Sequence, residues 1–517
     1  MDAAAKQLGP IAQIRISFLY TLVIVTDYQE TESILQVRHA DFDRAEANAR
    51  FFRQLLPTGQ ISQITGPMWK HHRRIIGPAM TSKHLSLTTP RANEAVMNLI
   101  ELFKLKASKA GGRSFESEGD MTSATMDAIC GMAFGSSWHI LGGIKEQIQM
   151  LESAPTGHLG DAVFRTTRPD IADATWYIFE AVPITVPFPA IIDFFTSLSP
   201  TYRRHSRTVR SYLKSRLDES REKIKAIGSE AAMDLVDNTL DMMVARESRA
   251  EDWMPDNEMI DEVLQYLVAG TETSGATLTW FLKYMTNSPS IQRKLRDHII
   301  ARKPQLQDRQ PTFEDLNAAT LPYLEAVVYE TLRLSRTAGG YAREAKKDVT
   351  VLGHRIPKGT TVVFTTATGT EDLSTPTAAP YLPNAAPAGT DALIRQTEAL
   401  ADVRYDPSAA RKIGYWAAGT GHLFDPERWM TSKGEFDPYA GPSMPFGLGQ
   451  RGCFGKNLAV LEMRLFMAQL SLAFFFGPVP ETMNSTEFFE TVANHPRQSY
   501  IRPMSWECAE AQAQVLA

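Results

Sequence analysis

The chain has 517 residues, 43% hydrophobic and 22% charged, with a formal net charge of −5. That length supports a large buried core in an ordinary globular composition, and the lack of a basic excess argues against nucleic acid as a partner. Three widely spaced cysteines, Cys130, Cys453 and Cys508, form neither a disulfide framework nor a CxxC metal site, which points to a reducing compartment.

From the N-terminus, IRISFLYTLVIVTD (14–27) predicts one strand, followed by a turn and a helix over YQETESILQVR. Its apolar run at 18–25, like LSLAFFFGPV at 470–479, is well short of the ~20 residues that span a bilayer. No leader pattern opens the chain, so no transmembrane segment is expected. WKHHR (69–73) sets Trp69 and Arg73 at i and i+4 on one helix face. The adjacent His71 and His72 point about 100° apart on such a helix, and are expected at the surface or in a supporting position. Helical periodicity then dominates from about Ala92 to Leu334, with breaks expected at Gly111–Gly112, at Gly142–Gly143 and in VPITVPFPA (182–190).

Within that region, residues 259–285 are apolar around most of the helix circumference, which marks a buried helix. Its middle reads AGTETS (269–274). Small residues there allow close packing, and the Thr273 hydroxyl is expected to bond back to the carbonyl four residues earlier, loosening the helix locally together with Gly270. YETLRLS (329–335) places Glu330 and Arg333 one turn apart, by itself an ordinary surface ion pair. Residues 341–366 switch to alternating β-branched residues with a PKG turn and predict strands. Residues 369–421 are rich in Ala, Thr, Pro and Gly, with one short helix at 391–404, and read as a surface insertion. Helix returns at 456–476. The expected fold is mainly α with a small β-sheet (α+β), one domain over 1–517.

The remaining stretch is PFGLGQRGCFG (445–455). Thiolates are stabilised at helix N-termini by exposed N–H groups and the helix dipole, and Cys453 stands just before the 456–476 helix. Gly447, Gly449, Gly452 and Gly455 let the backbone pass close to a large flat group. Arg451 is placed to pair with an anion on it.

Phe446, Gly447, Gly449, Arg451, Cys453 and Gly455 resemble the cytochrome P450 haem-binding signature FxxGxRxCxG at every fixed position. The resemblance implies haem b held between the long central helix and the cysteine loop, with Cys453 as axial ligand of the iron. It also assigns the outlying motifs. Glu330, Arg333 and Arg428 of FDPERW (424–429) resemble the family's structural triad, a buried ion network in which removing one partner costs ~3–5 kcal/mol. Trp69 and Arg73 match WxxxR, and with Arg343 and Arg451 make an anion clamp for the propionates. Ala269, Gly270, Glu272 and Thr273 fill the family's [AG]Gx[DE]T pattern. Thr273 and Glu272 are thereby expected to be catalytic, ordering a water and delivering protons where the thiolate favours O–O cleavage.

The implied activity is a haem monooxygenase that uses O2 and oxidises a lipophilic small molecule. Electrons would come from NADPH through a flavoprotein reductase, since the chain has no dinucleotide-binding motif of its own. The member resembled is of the fungal, microsomal type without its N-terminal anchor. The expected location is the cytosolic face of the endoplasmic reticulum, with peripheral membrane contact, and the long 369–421 segment is loosely similar to insertions in members of secondary metabolism. The alternatives are a haem-thiolate isomerase or dehydratase, or a catalytically impaired relative. The acid–alcohol pair favours monooxygenation.

Overall fold

The computed structural model describes residues 9–15, 21–181, 189–228, 231–232, 235–248, 253–365, 416 and 420–516. They divide into two compact units, one built from 1–49 with 332–454 and the other from 50–331 with 455–517. The fold is mainly α with small sheets.

The first unit carries a five-stranded sheet in the order Ile11–Arg15, Thr21–Val25, Thr361–Thr365, Gly340–Ala345, Phe42–Arg44. Only the Thr21–Val25 and Thr361–Thr365 pair is parallel, with Leu22 opposite Thr361. The one strand expected over 14–27 is instead two antiparallel strands, with Ile11 opposite Val25 and Arg15 opposite Thr21. Residues 16–20 lie outside the described residues. The following helix is expected as one piece, but it widens after Glu32 into a turn over 33–37 whose last bond, Arg38 N–H to the Ser33 carbonyl at 2.9 Å, spans five residues. Val23, Val25, Ile34, Leu35, Phe42, Val362, Phe364 and Met444 bury together as this unit's core. The β character of 341–366 appears as Gly340–Ala345, the hairpin Val349–Val351 with His354–Ile356, and Thr361–Thr365.

The second unit is built around the helix Asp256–Asn287, whose 32 residues span about 48 Å. Asp256 and Glu258 in its first turn suit the positive end of the helix dipole. The helix packs closely on Glu118–Phe134 because glycines remove side chains from the contact. A Cβ on Gly270 would stand 2.5 Å from Ile129 Cδ1, and one on Gly275 would stand 3.2 Å from Thr122 Cα. Helix Ser82–Ala110 ends as predicted at Gly111, which has φ +61°. Gly142 and Gly143 do not break the chain: they lie inside helix Ile140–Gln149. That helix starts after His139, and the buried Asp127 carboxylate accepts the N–H groups of Ile140 and Leu141 at 3.1 and 3.0 Å. This cap, supplied from another helix, outweighs the poor helix propensity of two glycines.

Among the described residues no helix is long and apolar enough to cross a membrane. Most of 369–421, including the helix expected at 391–404, lies outside the described residues, as does most of 182–190. The C-terminal end of the first of these stretches is not surface, however. Trp416 is 4% exposed and Gly421 is buried.

Candidate active site

In the first unit the cysteine loop is closed by backbone. Cys453 N–H donates to the Phe446 carbonyl at 2.7 Å, Gly452 N–H to Gly449 at 3.0 Å, and Gly447 N–H to Met444 at 3.0 Å. Cys453 itself stays exposed. Gly447 and Gly449 have φ +63° and +68°, the left-handed region that favours glycine. A Cβ on Gly449 would also stand 1.9 Å from the Leu35 carbonyl oxygen. Its glycine is therefore required by the fold itself, through the 33–37 turn. The loop is further held by Tyr341, whose hydroxyl donates to the Met444 and Pro445 carbonyls at 2.8 and 2.7 Å. Tyr341 escaped the sequence reading because a tyrosine in a strand carries no loop-binding signal.

Three arginines gather beside this loop. Arg343 is 7% exposed and donates to the Arg451 carbonyl at 3.4 Å. Arg451 lies 3.6 Å from the Asp43 carboxylate. Arg44 sits opposite Arg343 in the sheet. Burial, then the neighbouring Arg451, lowers Arg343 to about 10. Burial followed by Arg343 and Arg451 lowers Arg44 to about 9. Like charges this close are costly without an anion beside them, and Asp43 supplies one. Arg44 belongs to the cluster although no motif marked it; only the antiparallel register brings it there.

The same unit holds the arginines of the expected triad. Arg333, 3% exposed, donates to the Gly421 and Leu423 carbonyls at 2.6 and 3.0 Å. Arg428 donates to Thr420 and Leu423 carbonyls at 3.0 and 3.3 Å. Both guanidinium groups stand over the Trp416 ring, at 5.7 and 5.2 Å. Trp416 in turn needs Gly441, where a Cβ would approach its ring to 2.4 Å. Glu330, in the second unit, is fully buried one helical turn before Arg333. The tryptophan platform was hidden in a stretch whose composition reads as insertion.

In the second unit, the central helix is buried on both sides of one accessible notch. Residues 266–268 and 271–272 are buried, whereas Ala269 is exposed and Gly270 and Thr273 are partly exposed. Thr273 Oγ1 donates back to the Ala269 carbonyl at 2.6 Å, as expected. The helix runs through 269–274 without interruption. Glu272 is 3% exposed; one oxygen accepts from the Thr491 hydroxyl and lies 3.2 Å from His495 Nε2. Its other oxygen, Oε2, has no hydrogen-bond partner among the described residues. Ser274 Oγ donates at 2.8 Å to Glu462, a fully buried carboxyl that burial pushes up to about 8.

Trp69 is 6% exposed and Arg73 stacks 5.3 Å over its ring. Of the histidine pair, His71 reaches the Trp253 carbonyl at 3.1 Å. His72 is not at the surface. It is fully buried, with Nδ1 2.6 Å from Glu262 and Nε2 2.9 Å from Glu258. Burial disfavours its charge, but the two carboxylates outweigh that and raise its pKa. The Gln60 backbone N–H also donates to Glu262 at 2.6 Å, so Glu262 ties both the 60–62 turn and, through His72, helix Pro67–Ile76 to the central helix. The acidic partners lie nearly two hundred residues away, beyond any local pattern.

A family model described as Cytochrome P450 matches residues 1–372 and 420–502. The chain is 28% identical to "Cytochrome P450 monooxygenase TRI13" of Fusarium sporotrichioides, over 97% of this chain and 89% of that protein. It is 33% identical to "Hps1-dma1 cluster cytochrome P450 monooxygenase cyp3.1" of Dothistroma septosporum, over 50% of this chain and 81% of that one. Against Cytochrome P450 3A5 of Homo sapiens the identity is 25%, covering 83% and 73%. With a family match over most of its length, the chain belongs to the cytochrome P450 family and is an oxidoreductase of the monooxygenase type.

Proposed function

We propose that the chain holds haem b through Cys453 and uses O2 to insert one oxygen atom into a lipophilic small molecule. The observation that carries this reading is the closed loop 444–453, which leaves Cys453 exposed beside a cluster of three arginines with Asp43. A thiol in that setting is favoured as thiolate, and the arginine cluster suits the carboxylates of a porphyrin. Arg343, Arg451 and Arg44 would take propionates, a role proposed also for Trp69 and Arg73. Phe446, Gly447, Gly449 and Gly455 shape the loop, and Glu330, Arg333 and Arg428 buttress it.

When bound, the haem supplies the oxygen activation that no protein side chain provides. The chain's own part is proton handling. Thr273, now bonded to the Ala269 carbonyl, orders a water at the accessible notch formed with Ala269 and Gly270. Glu272, with Oε2 unsatisfied, receives and releases the proton. Electrons come from NADPH through a flavoprotein reductase, at the cytosolic face of the endoplasmic reticulum.

We take 1–517 as one haem-thiolate domain, with 369–421 an insertion up to the buried Trp416. The break in the family match at 373–419 supports that reading. The "cluster" in the Dothistroma relative's name supports a place in secondary metabolism. The mainly apolar segments 49–64, 179–195 and 336–342 support a lipophilic substrate. The test is the carbonyl spectrum of the reduced protein: a red-shifted thiolate band is expected, and Cys453→Ser should abolish it. A band that survives the substitution would sink the reading.

A further inference from the structure

Glu272 has a continuation. His495, on strand Asn494–Pro496, lies with Nε2 3.2 Å from Glu272 Oε1 and Nδ1 2.7 Å from Glu118 Oε1. Its side chain is 4% exposed and that of Glu272 3%, whereas Glu118 is 32% exposed. Glu118 opens helix Glu118–Phe134, so it stands at the edge of the second unit's helical core. The Phe489 ring, on the paired strand, stacks on the imidazole at 5.2 Å with planes 16° apart and fixes its orientation. A carboxylate on each ring nitrogen makes both N–H groups donors, which requires the protonated ring.

We propose that Glu118 and His495 form the path by which protons from solvent reach Glu272. The charged ring gives its Nε2 proton to Glu272 and is left neutral. Once the remaining ring proton has moved from Nδ1 to Nε2, a proton taken from water by Glu118 recharges the ring at Nδ1, so one proton enters and one leaves per cycle. A step across 2.7 Å and one across 3.2 Å are both within hydrogen-bond reach. No motif marks either residue, and the three groups come from a helix start, a helix middle and a C-terminal strand. The proposal rests on the reading of Glu272 as the proton donor of the haem site.

The groups that face His495 are Glu118 and Glu272. Burial opposes the ring's charge, but the two carboxylates raise it to about 9. A raised histidine adds stability that is whole below its ordinary value near 6.5 and is lost as pH climbs through about 9. The relay should empty over the same range.

The experiment uses the full chain loaded with haem. The reduced protein is mixed with air-saturated buffer, and its return to the oxidised spectrum is timed in H2O and in D2O. His495→Gln should slow the return at least tenfold with an enlarged isotope ratio, while the carbonyl thiolate band is retained. Glu118→Gln, a change at a partly exposed site that does not disturb the core, should slow it severalfold. It should also shift the NMR titration of His495 down by more than one pH unit in the protein without haem. Should His495→Gln fail to fold, the Glu118→Gln arm decides alone. Unchanged rates and isotope ratios in a variant that keeps the thiolate band overturn the relay. A wild-type protein with no thiolate band overturns the haem reading instead.

Discussion

Gly449 in the cysteine loop and Gly270 in the central helix both leave out a side chain that the structure has no room for. What stands in the space differs. At Gly449 the obstacle is the Leu35 carbonyl at 1.9 Å, and φ is +68°. At Gly270 it is Ile129 Cδ1 at 2.5 Å, the far end of a side chain, and the backbone is helical. Backbone held in a hydrogen-bonded turn cannot withdraw, whereas a side-chain tip can swing at modest cost. The same contrast runs through the two regions. The loop is secured by N–H to carbonyl bonds that leave Cys453 in one place. The helix middle is surrounded by hydroxyls, carboxylates and an imidazole, groups that exchange protons. The proposed metal ligand needs the first kind of support and the proposed proton traffic needs the second.

The strongest way to break this contrast is Gly449→Ala. The left-handed conformation costs about 1–2 kcal/mol for alanine, and the overlap with a carbonyl adds about 1–3 kcal/mol more. The expected total is roughly 3 kcal/mol, or about a hundredfold faster opening of the loop by hydrogen exchange at the Cys453 amide. Gly455→Ala is the companion measurement, because nothing lies within 4 Å of its added Cβ and its φ is −83°. Stability should then change by no more than about 0.5 kcal/mol. If Gly455→Ala lowers haem loading while leaving stability intact, that glycine serves the ligand. If Gly449→Ala leaves the exchange rate alone, the backbone account of the loop is wrong.

These two glycines also mark how far the sequence is legible. Cys453 and its glycines are contiguous, so the family signature could be read from eleven residues. The central helix was equally readable, because apolar residues around its circumference are a local property. Trp416, Arg44, Tyr341 and His495 were not, because each acts through partners dozens to hundreds of residues away. His72 shows the cost of local reading most plainly. Two adjacent histidines on a helix look superfluous until Glu258 and Glu262 arrive from another helix. The Gly142–Gly143 break failed for the same reason, since the Asp127 cap comes from another helix.

A smaller effect tests the yielding side of the comparison. Gly270→Ala should gain about 1 kcal/mol in helix propensity and lose about 1–3 kcal/mol to overpacking against Ile129. The net expectation is a destabilisation of about 1 kcal/mol in chemical denaturation. In an Ile129→Ala background both the Cδ1 atom at 2.5 Å and the Cγ1 atom at 2.9 Å are gone, and the substitution should become neutral or stabilising. A double-mutant cycle with no coupling between positions 129 and 270 would show that the close helix contact is not what requires glycine there.

The smallest expected effect concerns the pin on the loop. Tyr341→Phe removes one hydroxyl that is shared between the Met444 and Pro445 carbonyls. Met444 still accepts from Gly447 N–H at 3.0 Å, so the loss falls on the Pro445 carbonyl, and the ring's packing is kept. One hydrogen bond lost from a partly buried site costs about 1 kcal/mol, which is roughly a fivefold change in a local opening equilibrium. Exchange at the Cys453 amide should therefore rise about fivefold, while exchange in the central helix stays as it was. If both regions loosen together, the tyrosine supports the whole molecule and not the loop alone. If neither changes, the bonds from Cys453 to Phe446 and from Gly452 to Gly449 hold the loop without it.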